Sequence, residues 1–194
     1  MDERNVRVTG YGFFCLSIET FNKFINEKKI KSKKINKCFD KNRPLIETSL
    51  KEGAWIPIST INSTRYVVDV GSESEKIFDT GWQKVLTLDN CNLHVGTDAA
   101  VWVGSLDGLD DWDPGEYDKK DSISYQTLDG ITLFRGFKFE VKSGMYTVKV
   151  IGFKRKEALA HPAANFGFAF ELTETESFDS FTNPLVEDVN IAKM

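Results

Sequence analysis

Most of the residues that could do chemistry in this chain stand in one segment. "SLDGLDDWDPGEYDKKD", residues 105–121, carries seven carboxylates against two lysines, with Trp112 and Tyr117 among them. Calcium takes hard oxygen ligands, which Asp107, Asp110, Asp111, Asp113 and Glu116 could supply. The D-x-D-x-D-G order of an EF-hand loop is missing, however, and Pro114 interrupts the run. A sugar would stack on Trp112 or Tyr117. A basic protein would be steered at long range by the clustered acids, and its arginines would pair with them. Trp and Tyr are residue types enriched at interface hot spots. Against all three stands a solvated loop with Trp112 folded back on the domain. The expected partner contacts are Asp107, Asp110, Asp111, Trp112, Asp113, Glu116, Tyr117 and Asp118, with the acids steering and the aromatics serving as desolvated anchors.

Little else in the sequence points to catalysis or a cofactor. There are two histidines, His94 and His161. Cys91 and His94 form C-x-x-H, but a zinc site needs about four ligands and no second pair stands at ligand spacing. On a strand, residues three apart point to opposite faces, which also weakens a Cys–His catalytic pair. His161 reads as a loop residue before Pro162. No P-loop, nucleophile elbow, H-E-x-x-H or dinucleotide fingerprint occurs. A hydrolase using two carboxylates stays as a second alternative to the binding readings, but acids are so plentiful that no pair stands out. The expectation is therefore a non-enzymatic protein with no metal or cofactor.

The three cysteines, Cys15, Cys38 and Cys91, are odd in number and widely spaced, as expected of free thiols in a reducing compartment. No apolar run approaches the roughly 18 residues needed to span a bilayer. The opening MDERNVRVTG lacks the apolar core of a signal peptide. A cytoplasmic protein without membrane contact is expected.

Charge is unevenly spread. The net charge is −4, yet residues 1–60 hold 12 basic and 7 acidic side chains, and most of the positive charge lies in KKIKSKKINKCFDKNR, residues 28–43. Nucleic-acid binding wants aromatics interleaved with the basic residues. This run contains Phe39 alone, so a nucleic-acid partner is not expected. A solvated basic face, or contact with an acidic patch within a dimer, fits better.

The elements that must position these residues are mostly strands. YGFFCLSI (11–18) reads as a buried strand. In SIETFNKFINEKK, Ser17 or Thr20 can cap a helix that places Phe21, Phe24 and Ile25 on one face. PLIETSLKEG (44–53) reads as a second short helix, with Pro44 at its start and Gly53 at its end. From Trp55 onward short β-branched and aromatic runs predict strands at 55–59, 65–70, 84–88, 92–95, 99–104, 122–128, 131–134, 137–141, 146–153 and 166–172. Asp129-Gly130 is a strong hairpin signal, and VKSGMY (141–146) reads as a second turn. Phe137, Phe139 and Val141 share one face, as do Tyr146, Val148 and Val150, the period-two pattern of antiparallel sheet with one wet face. The expected fold is mainly β: an antiparallel β-sandwich or a partly open barrel, with one or two short N-terminal helices. A single domain over 1–194 is expected, with a strand-plus-helix lysine-rich part to residue 53, a β core over 54–172 and a docking tail from 173, where Phe178 and Phe181 could form one helical turn.

The hairpin pattern over 122–153, above all FKFEVKSGMYTVKVIGF, is similar in style to the sheet hairpins of small competence-type nuclease inhibitors. The small, acidic, β-rich chain with its carboxylate-and-aromatic loop resembles the immunity proteins of bacterial polymorphic and contact-dependent toxin systems. The resemblance implies tight binding to one toxin domain and blockage of its active site. Nuclease toxins are basic because their substrates are phosphates, and an acidic inhibitor suits them physically.

Overall fold

A computed structural model of the chain describes residues 3–194. Ten strands form one sheet: β1 (Asn5–Arg7), β2 (Gly12–Leu16), β3 (Ile56–Ser59), β4 (Arg65–Gly71), β5 (Trp82–Val95), β6 (Ala100–Ser105), β7 (Ser122–Gln126), β8 (Thr132–Glu140), β9 (Gly144–Arg155) and β10 (Phe166–Thr175). Their order is β3-β2-β6-β8-β1-β4-β10-β9-β5, with β7 paired to β8. The sheet curls into a nearly closed barrel, the second of the two expected architectures. It is mixed rather than purely antiparallel, because β10 runs parallel to β4 and β1 meets β8 in parallel.

Period-two alternation explains the barrel interior. Phe13 and Cys15 on β2, Val101 and Val103 on β6, Val148 and Val150 on β9, and Phe168 and Phe170 on β10 all enter one buried core. The intervening Phe14, Leu16 and Trp102 point outward into a second core. Three T-shaped contacts link Phe13 to Tyr66, Phe168 and Phe170 at 6.0, 5.0 and 6.0 Å between centroids, a geometry favoured by the ring quadrupoles.

Several expectations are corrected. Residues 84–88 and 92–95 are one 14-residue strand, because the extra residues at Val85 and at Asp89-Asn90 are absorbed as bulges. Asn90 takes φ 59°, a left-handed conformation that Asn tolerates. Residues 131–134 and 137–141 likewise form a single strand, β8. VKSGMY is not a hairpin turn: β8 pairs with β6, β1 and β7, whereas β9 pairs with β10 and β5. The segment that carried the likeness to nuclease-inhibitor hairpins is therefore split between two sides of the barrel. The Asp129-Gly130 hairpin does form, joining β7 to β8 with Gly130 at φ 81°.

Three helices, one more than the upper expectation, pack on the outer face of β2 and β6 with the loop that follows β6. In α1 (Ile18–Glu27), Ser17 caps the first turn and Phe21, Phe24 and Ile25 are buried, as the spacing predicts. The lysine run holds α2 (Ile35–Asp40), which buries Ile35 and Phe39 one turn apart and leaves its single lysine, Lys37, in water. In α3 (Arg43–Lys51), Pro44 lies in the first turn and Gly53 follows at φ 68°, so the chain reverses there without a Cβ clash.

The α1 cap is a polar cluster built on the buried Ser17, with Glu19, Thr97 and Asp98 at the surface. Ser17 Oγ donates to Asp98 Oδ1 at 2.9 Å and accepts from the Thr20 and Gly96 amides. Glu19 reaches back to accept from Thr97 Oγ1 and the Asp98 amide, both at 2.8 Å. These bonds, led by the one from Thr97, hold the Glu19 carboxyl below its ordinary value of 4.5. Because the folded value is the depressed one, the stabilisation is present above pH 4.5 and fades as pH falls below it. Melting temperatures of wild type and Glu19→Gln, compared from pH 3 to 7, should lie furthest apart at neutral pH and converge on acidification. A constant gap would exclude the carboxylate as the cause.

The C-terminal tail closes the molecule. Thr182 bonds to the β5 bulge, its amide to Asn90 O at 2.8 Å and its hydroxyl to Asp89 O at 2.6 Å. Residues 177–183 are irregular, so Phe178 and Phe181 make no helical turn; the chain turns at Pro184–Val186 instead. Val189 and Ile191 then enter the barrel core with no exposed surface. No helix among the described residues is long and apolar enough to cross a membrane.

Candidate functional site

The acidic segment leaves β6 as two single turns of 3-10 helix, Leu106–Leu109 and Pro114–Tyr117. It is folded down rather than displayed. Leu109 is fully buried, and Trp112 and Tyr117 retain 5% and 8% exposure. Trp112 packs edge-on to Phe21 at 5.0 Å, and Tyr117 packs edge-on to Trp102 at 5.0 Å. The two aromatics are therefore not partner anchors and cannot act as a sugar platform; they hold the loop to the second core. Burial raises the Tyr117 hydroxyl above the usual phenol range.

Polar contacts fix the rest of the loop. The Trp112 amide donates to Lys33 O at 2.8 Å. Asn36 Nδ2 donates to Leu106 O at 2.8 Å and to Asp110 Oδ1 at 3.1 Å, tying the loop to α2. Asp113 caps the second turn by accepting from the Gly115 amide at 3.0 Å. Asp107 is half-buried and pairs with Arg135 at 2.7 Å, so it too is withdrawn from the expected contact set. Arg135 is the extra residue of a bulge in β8 opposite Ile123 and Ser124, a device that re-aims a side chain. Neither Arg135 nor Asn36 could be picked out from the sequence, because each acts across a long-range contact.

Five of the eight expected residues remain on the surface: Asp110, Asp111, Asp113, Glu116 and Asp118. They are charges mounted on a pinned support, bordered on the α2 side by exposed Lys33, Lys34 and Lys37. Among the described residues, no three His, Cys, Asp or Glu side chains gather in a way that could hold a metal ion.

The other candidate groups sit apart from this surface. Cys91 lies in the barrel core while His94, three residues on, is half-buried outside it. Burial pushes the Cys91 thiol up to about 12 and Cys15 higher still, so neither supplies a thiolate at neutral pH. His161 is exposed in the loop before β10. Asp69 is the one carboxylate among the described residues that burial pushes up, against the lowering effect of Arg4. It lines neither the 450 Å³ groove beside β1 nor the 370 Å³ groove beside α2. No family model matches the chain, and neither a curated protein nor a solved structure is significantly similar to it.

Proposed function

We propose that the protein is a non-enzymatic inhibitor that binds a basic protein, a bacterial toxin domain of the nuclease type, and so serves as its immunity protein. The observation that carries this reading is the pinned acidic loop. Five exposed carboxylates are held on a support whose aromatics are spent on the fold, so little ordering entropy is lost when a cationic surface docks. Clustered acids raise the association rate with such a surface and pair with its arginines. The contact set is Asp110, Asp111, Asp113, Glu116 and Asp118, without Trp112, Tyr117 and Asp107. Lys33, Lys34 and Lys37 at its border give the face two signs, which orients a partner that carries a basic region beside an acidic one.

The test is capture from a lysate of the source organism on immobilised protein, at low and at high salt, followed by a nuclease assay of what is retained. A basic protein released by salt, whose nuclease activity falls to zero as one equivalent of this protein is added, supports the reading. A retained protein whose activity is untouched by the added chain overturns it.

A further inference from the structure

A second surface, beside β1 where it follows β6 along one edge of β8, carries chemistry that the acidic loop does not use. β1 and β4 are antiparallel with Arg7 directly opposite Arg65. Like charges facing each other across a strand pair repel. Among the described residues neither guanidinium has a carboxylate or hydrogen-bond partner. The neighbouring arginines are all engaged: Arg135 with Asp107, Arg155 with Glu3, and Arg4 with Lys138 O and the Phe139 ring. Arg7 and Arg65 line a groove of about 450 Å³ with Asn5, Thr132, Leu133, Phe134 and Phe137; Arg4 and Glu3 line it too, the Glu3 carboxylate being paired with Arg155. The groove opens where β1 and β8 are joined by the single pair Val6–Phe134.

Three features of this groove define its occupant. Two opposed, unpaired arginines match an anion that accepts several hydrogen bonds, and phosphate is the group their forked geometry suits. Phe134 and Phe137 are half-buried and stacked on each other, 4.9 Å apart and 30° between planes, and such a pair gives a planar ring an aromatic neighbour. Asn5 Oδ1 is buried and accepts no hydrogen bond, so it wants an N–H or O–H donor. The volume lies within the range of small-molecule sites. From these observations we propose that the groove binds a nucleoside monophosphate, its phosphate between Arg7 and Arg65 and its base beside Phe134 and Phe137. The site stands whether or not the acidic loop binds a toxin.

Isothermal titration calorimetry of the full chain with the four ribonucleoside monophosphates, adenosine and inorganic phosphate tests this. At least one nucleotide should bind more tightly than adenosine and than phosphate. Arg7→Gln or Arg65→Gln should weaken it by about tenfold or more, the loss expected for a charge-assisted bond. Each variant should melt at or above the wild-type temperature, because it relieves a repulsion, so that weakened binding is not unfolding. Phe134→Leu should weaken the nucleotide and leave phosphate unchanged. The proposal fails if no nucleotide binds, if phosphate binds as tightly as the nucleotides, if a single-stranded oligonucleotide binds where they do not, or if Arg65→Gln leaves nucleotide affinity unchanged.

Discussion

Replacing Trp112 by alanine is expected to cost about 3–5 kcal/mol of folding free energy and to free the acidic loop. The side chain is almost wholly buried against Phe21 and Tyr117, and removing it leaves a void at the largest of the apolar attachments that hold the segment, beside Leu109 and Tyr117. Trp112→Phe separates packing from polarity. It keeps a ring in place and removes an indole N–H that is buried without an acceptor, so its loss should be much smaller. Urea denaturation gives both values, and hydrogen exchange of residues 106–118 reports the loop. A loss under 1 kcal/mol for Trp112→Ala would mean that the loop is not held by its aromatics.

The second large effect lies at the tail. Ile191→Ala should cost about 2–5 kcal/mol, as much as a central core residue of the same type, although only three residues follow it in the sequence. Ile191 fills space left by a missing side chain: a Cβ built at Gly152 on β9 would lie 2.7 Å from Ile191 Cγ2. Gly152→Ala should therefore destabilise the wild type by overpacking and do so less strongly in the Ile191→Ala background. A double-mutant cycle reads that coupling directly. Simple additivity would show that the tail does not occupy the barrel end.

Much of the strand content was legible because alternation reports which face of a strand is wet. Alternation does not report a strand's neighbours. Alternation puts Phe137, Phe139, Tyr146, Val148 and Val150 on the right faces, yet it suggests pairing β8 with β9, whose actual partners come from distant parts of the chain. The bulges at Val85 and Asp89-Asn90 broke the period and made one strand read as two. Asn5–Arg7 is too short for any period to show. In the acidic segment, residue type left Trp112 and Tyr117 ambiguous, since a large amphipathic ring suits an exposed hot spot and a buried anchor equally. Leu109 beside them was the available signal: a third apolar residue in a run of acids marks a segment with one face turned inward. The pairing of Asp107 with Arg135 had no local signature at all.

The most direct test of the central claim is the rate at which the captured basic protein associates with this chain, measured by stopped flow as a function of salt. The comparison is with a variant carrying Asp110→Asn, Asp111→Asn, Asp113→Asn and Glu116→Gln. Wild type should associate quickly at low ionic strength and slow steeply as salt rises. The variant should associate about tenfold more slowly at low salt, with little dependence on it. Equal rates with equal salt dependence would show that the acidic loop is not the surface the partner meets.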